Sequence, residues 1–142
     1  MAIIISNSDL QAKHNAILSY GPTDWSDKIF AASAIVERDI DLRWYRKNFS
    51  RDVDGDFDMS RVDDPDNRIR DIMVYKTLTD IFEYLTKGPD NFLELYGLFR
   101  ERYLAEIKTL LETGLDYDTD ASGVVEEIES AARRGPRKLV RG

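Results

Sequence analysis

The chain has 142 residues, 42% of them hydrophobic and 33% charged, with a net charge of −7 and no cysteine. That length and balance fit one globular domain with a hydrophobic core of its own, and not a disordered chain. The missing cysteines exclude disulfides and thiolate metal sites, and the acidic balance argues against a general nucleic-acid binder, which needs a basic face to displace counterions.

At the start, Met1-Ala2-Ile3-Ile4-Ile5-Ser6 holds too few apolar residues, and no basic stretch, to read as a signal peptide or a membrane span. Synthesis in a cytoplasm is therefore expected. A first short helix is predicted from about Ser8 to Ser19, burying Leu10, Ile17 and Leu18 and ending at Gly21-Pro22. A second, long helix opens with Thr23 or Asp24 as cap and runs to about Arg46. Trp25, Ile29, Ala32, Val36, Ile40 and Trp44 recur in it at steps of three and four, which puts them on one face.

Residues 47–64 are the least regular stretch. Asp52, Asp54, Asp56 and Asp58 alternate around Gly55, with Asp63 and Asp64 following. As a calcium loop opened by Asp52 this fails, because Phe57 takes the glycine place and Asp63 the closing glutamate place. The expectation is an acidic loop that projects from the helical body across residues 50–64, since six aspartates repel one another and resist burial. Phe57 would be its apolar anchor, and Asp52, Asp54, Asp56, Phe57 and Asp58 its contact residues toward a partner; Phe57 and Met59 could also dip into the core.

A third helix is predicted from Pro65-Asp66 through Leu85, stopped by Gly88-Pro89. A fourth follows from Asp90 to Thr113 with an apolar stripe of Phe92, Leu95, Tyr96, Phe99, Tyr103, Ile107, Leu110 and Leu111, closed by Gly114. The short connection between the two favours an antiparallel hairpin. The fold class is therefore all-α: an antiparallel helical bundle built on the long helix plus the hairpin, occupying residues 1–132, with an extended arm at 133–142.

Residues 118–129 match the twelve-place loop of an EF-hand. Asp118, Asp120 and Ser122 stand at the first, third and fifth places, Gly123 at the sixth, and Glu129 at the twelfth, while Val124 supplies a backbone carbonyl at the seventh. Asp118, Asp120, Ser122, Val124 and Glu129 would hold Ca²⁺. The competing reading is an acidic turn that caps a final short helix from Val125 to Ala132. No cofactor is required by anything else in the chain. After Gly135-Pro136 the chain turns basic. Residues 133–142 carry five positive charges and no acid, which leaves the remainder at 15 basic against 27 acidic side chains. Such a tail reads as an interaction arm, with Arg133, Arg134, Arg137, Lys138, Leu139, Val140 and Arg141 meeting a partner. Catalytic signatures are poor: His14 is the sole histidine, and no nucleophile elbow, triad or phosphate loop stands in the chain. The chain reads as a non-enzyme.

Three stretches carry a family likeness. They are Asp24-Trp25-Ser26-Asp27-Lys28-Ile29-Phe30-Ala31-Ala32 leading into Ala34-Ile35-Val36-Glu37-Arg38-Asp39-Ile40-Asp41; Tyr75-Lys76-Thr77-Leu78 through Glu94-Leu95-Tyr96 to Arg100-Glu101-Arg102-Tyr103; and Leu115-Asp116-Tyr117-Asp118-Thr119-Asp120 with Gly123 and the tail Arg137-Lys138-Leu139-Val140-Arg141. Together the chain resembles the head-completion, or head-to-tail adaptor (connector), proteins of tailed bacteriophages. It departs from them at Ala121-Ser122, where the turn of such proteins often has Gly-Asp. The resemblance implies a structural virion protein located in the neck: a homo-oligomeric ring, usually of twelve copies, under the portal protein, with a tail or stopper ring protein below. DNA would pass through the ring without sequence-specific binding, and no membrane would be involved. The alternative is a small calcium-binding helical interaction protein that uses the loop at 118–129.

Overall fold

The computed structural model describes residues 3–64, 66–88 and 91–118. The fold is all-α, with one very small sheet. In chain order the elements are α1 (Asn7–Lys13), a 3₁₀ turn (Asn15–Ser19), α2 (Ser26–Ile40), a π-helical turn (Asp41–Tyr45), α3 (Arg46–Asn48) and α4 (Arg51–Asp54). A second 3₁₀ turn (Met59–Arg61), β1 (Val62–Asp63), α5 (Arg68–Leu85), α6 (Leu93–Thr113) and β2 (Asp116–Tyr117) follow.

The central element is α5. Ile69, Ile72, Met73, Val74, Leu78, Ile81 and Phe82 are all buried, so the helix is apolar around most of its circumference, as a helix with neighbours on several sides must be. Two threonines are buried among them, and each returns its hydroxyl to the carbonyl one turn back, Thr77 to Met73 and Thr79 to Tyr75, both at 2.7 Å. Helix α6 runs antiparallel against α5. Phe82 meets Phe92 and Phe99 at one end, Lys76 lies over the Tyr103 ring, and Arg68 donates to Thr113 at the other end. Helix α2 covers another side of α5, and Asp39 on α2 accepts a hydrogen bond from the Tyr103 hydroxyl at 3.1 Å. Burial first, and the Asp39 carboxylate second, push the Tyr103 phenol above its ordinary range, so it stays a donor.

The long-helix face is as read: Trp25, Ile29, Ala32, Val36, Ile40 and Trp44 are all buried. Its backbone differs from expectation. Steps of four residues overshoot an α-helical turn by about 40° each, so Val36, Ile40, Trp44 and Asn48 would drift off the core face. The wider π turn at Asp41–Tyr45 takes up that drift, and Trp44 and Asn48 still point inward. The helix then ends at Asn48, two residues past Arg46.

Other boundaries shift for local reasons. The predicted first helix is two pieces, because His14 is extended (φ −151°, ψ 97°) between α1 and the 3₁₀ turn. The extended backbone aims the imidazole at Phe82, and its Nε2 lies 2.6 Å from the Tyr20 hydroxyl. Helix α5 begins at Arg68 rather than at Pro65-Asp66, since Asn67 adopts a left-handed φ of 57°. Its cap comes from further back: the Asp64 carboxylate accepts the backbone N–H groups of Ile69 and Arg70, each at 3.1 Å. Asp64→Ala should therefore cost about 1–2 kcal/mol, read by denaturant unfolding, because two N–H groups at a helix start lose their acceptor. Helix α6 begins at Leu93; Pro65, Asp90, the predicted final helix at 125–132 and the arm at 133–142 lie outside the described residues.

Burial holds the His14 imidazole below its ordinary value of 6.5. The unfolded chain binds the proton more readily, so this contribution to stability is full above pH 6.5 and is lost as the pH falls through the lower folded value. Thermal unfolding should show a drop in midpoint between about pH 7.5 and about pH 5.5 that is smaller in His14→Gln.

Candidate functional site

The acidic stretch after α3 carries most of the sequence-predicted contact residues that the structure describes. It rests on five aromatic rings. Tyr45 and Phe49 stack at 4.9 Å, Phe57 stacks on Tyr117 at 5.6 Å, and Tyr45 and Trp44 flank Tyr117 at 5.1 and 6.3 Å. Two hydrogen bonds pin the backbone to this base. The Tyr45 hydroxyl donates to the Gly55 carbonyl at 2.9 Å, and the Asp58 N–H donates to the Tyr117 hydroxyl oxygen at 3.0 Å. Gly55 takes φ 80°, a left-handed turn that suits glycine; a side chain there would meet no neighbour, so the backbone and not the space selects the residue.

This corrects the expectation that residues 50–64 project from the body without completing the core. Met59 and Val62 are buried and Phe57 is half-buried, while β1 pairs antiparallel with β2 in the register Val62–Tyr117 and Asp63–Asp116. The physical reason is the alternation. Over residues 56–59 the exposed Asp56 and Asp58 alternate with the half-buried Phe57 and the buried Met59, which use the inward face for the core. The charges point out: Asp52, Asp56 and Asp58 are exposed, and Val53 is 84% exposed among them. The Asp54 side chain lies outside the described ones.

Asp58 is the best-held carboxylate of the group. It accepts from the Ser60 hydroxyl at 2.7 Å and the Ser60 N–H at 3.0 Å, with Arg61 at 3.9 Å. The Ser60 hydroxyl chiefly, then the Ser60 backbone, hold its carboxyl below the usual carboxylate range, so it is ionised at neutral pH. The stretch thus presents exposed carboxylates, Asp58 held in place among them, together with the exposed Val53. Among the described residues no group of three or more His, Asp or Glu converges to hold a metal ion.

Of the predicted calcium ligands only Asp118 is described. Its N–H donates to the Arg61 carbonyl at 2.9 Å, extending the β1–β2 ladder by one bond, and the residue is buried. Asp120, Ser122, Val124 and Glu129 lie outside the described residues, as do Arg133, Arg134, Arg137, Lys138, Leu139, Val140 and Arg141.

A second surface escaped the sequence reading. Ile4 and Phe30 are 71% and 80% exposed, and with Ile3, Ile5 and Ile29 they line one open hollow of about 400 Å³ between the N-terminal segment and α2. Phe30 follows Ile29 and precedes Ala31-Ala32, so periodicity alone assigns it to the solvent side of α2. The signal was its type: a large aromatic ring at an outward position of a charged helix. Among the described residues no helix is long and apolar enough to cross a membrane. No protein-family model, no characterised protein and no solved structure matches the chain.

Proposed function

We propose that the protein is a structural subunit of a bacteriophage neck, forming a ring under the portal that joins the capsid to the tail and lets DNA pass. The observation that supports this most is the presence of two unlike partner surfaces on one helical body: the rigid acidic rim at residues 52–58 and the apolar hollow at Ile4 and Phe30. A ring of identical subunits needs heterologous contacts, one face meeting a different face of the next copy, and further surface for the components above and below. An exposed apolar patch suits a lasting protein contact. An acidic body also suits a DNA conduit, which must not grip its cargo. In this reading the basic residues 133–142 dock on the portal.

Co-purification with the portal protein of the phage that encodes the chain tests this. The full chain should be retained by immobilised portal, and a chain ending at Ala132 should keep its helical circular dichroism but lose retention. A truncated chain retained as well as the full one would remove the docking role of the arm, and no retention of either would count against the adaptor function itself.

A further inference from the structure

Beside the π turn lies an open groove of about 350 Å³ lined by Arg43, Trp44, Lys47, Asn48, Lys108, Leu111 and Glu112. Its rim is basic. Arg43, Lys47 and Lys108 are exposed, and none of them forms an ion pair with another described residue. Trp44 and Asn48, 1% and 6% exposed, contribute to its lining. The indole N–H of Trp44 and the side-chain oxygen of Asn48 are buried with no hydrogen-bond partner among the described residues. The orientation of the Asn48 amide is fixed, since its nitrogen donates to the Trp44 carbonyl at 2.8 Å; turning the amide over would set oxygen against oxygen. An orphaned donor and an orphaned acceptor thus belong to two residues that line the groove, and buried groups of this kind are normally paired. The other tryptophan is the contrast: Trp25 Nε1 donates to the Ile17 carbonyl at 2.8 Å. A π turn in a long helix is itself a frequent mark of a functional site.

We propose that this groove receives the acidic rim of a second copy of the chain, residues 52–58, and is the receiving half of the ring contact. The occupant, a second copy, rests on the ring function proposed above. Trp44 and Asn48 line the groove, so a segment seated there lies against the two residues whose polar atoms lack partners. The charges match in sign: the rim carries exposed Asp52, Asp56 and Asp58 with the exposed Val53, while the groove is lined by three cations and one acid, Glu112, with Leu111 and Trp44. The rim cannot fold back into its own groove, because Tyr45 and Tyr117 hold Gly55 and Asp58 on the aromatic base. Donor and acceptor patches that differ, and that cannot meet within one copy, give head-to-tail association.

A charge-swap set in the full-length protein tests this by sedimentation velocity. Lys47→Glu with Lys108→Glu, and separately Asp52→Lys with Asp56→Lys, should each weaken self-association at least about tenfold, the scale of a lost complementary charge contact. All four changes are at exposed positions, so both variants should keep the wild-type circular dichroism. An equal mixture should recover association, because the intact rim meets the intact groove and the swapped rim meets the swapped groove. A chain carrying all four changes should recover self-association. In the mixture, labelled on the chain with the intact groove, the Trp44 indole N–H resonance should shift and the Trp25 resonance should stay fixed. Unchanged association in either double variant, a wild type that stays monomeric at every concentration reached, or a Trp44 resonance that responds to inorganic phosphate and not to the second chain would each overturn the proposal. Rings on the portal that ignore all four substitutions would refute the groove and leave the adaptor function standing; swap-dependent association in a protein that portal does not retain would do the reverse.

Discussion

Tyr117→Ala is expected to lower the unfolding free energy by about 3–5 kcal/mol, the range for truncating a fully buried aromatic side chain. Tyr117 has no exposed surface and touches the rings of Trp44, Tyr45, Phe49 and Phe57. It is also the acceptor for the Asp58 N–H, and it pairs with Val62 across the small sheet. Removing the ring takes away the base under the acidic rim and the contact that joins the end of β2 to the long helix. Tyr117→Phe isolates one part of this: it keeps the ring and deletes the acceptor, and should cost about 1 kcal/mol. Urea unfolding followed by tryptophan fluorescence reads both, since Trp44 lies against the mutated ring. A loss below about 1 kcal/mol in the alanine variant would mean that the rim does not depend on this anchor.

Phe82→Ala should cost about as much, about 3–5 kcal/mol, and should act at the other end of the molecule. Phe82 is fully buried and stacks on Phe99 at 5.7 Å with the planes 6° apart; Phe92, Tyr20 and the His14 imidazole surround it at 5.7, 6.0 and 5.2 Å. One side chain thus ties α5, α6 and the N-terminal segment together. A spectroscopic consequence separates this from a general loss of packing. With Phe82 gone, solvent reaches His14, and its folded-state pKa should move up toward 6.5. His14 is the only histidine, so its ring proton signals can be followed by pH titration without assignment. An unmoved titration in a folded Phe82→Ala protein would contradict the packing described for His14.

Local periodicity carried the helices. The six residues read as the inward face of the long helix are all buried, and Phe99, Tyr103, Ile107 and Leu110 of the predicted α6 stripe are buried as well. Spacing of three and four is set by the helix itself and is visible wherever the chain is read. The π turn was not legible, because it answers a geometric drift that matters only once α5 and α6 fix where the core lies. The acidic stretch was half legible. Its aspartates were read as solvated, and Asp52, Asp56 and Asp58 are exposed; the opposite face of the same alternation, Phe57 and Met59, was assigned to a partner as readily as to the core. What decides between the two is Tyr117, 59 residues further on from Asp58, and no local pattern announces a pairing that distant. The groove at Trp44 and Asn48 was hidden for the same reason. Lys47 and Lys108 are charged residues on two ordinary helix surfaces until the fold brings them to one rim.

The acidic rim, the apolar hollow and the basic groove are separate surfaces of one small helical body, and the central claim is that they serve assembly into a ring. Negative-stain imaging of the purified full-length chain, alone and mixed with the portal protein encoded beside it, tests this most directly. The account predicts closed rings of identical subunits seated coaxially on one face of the portal, with an open central channel. Portal particles indistinguishable from portal alone, beside a protein that stays monomeric, would contradict it.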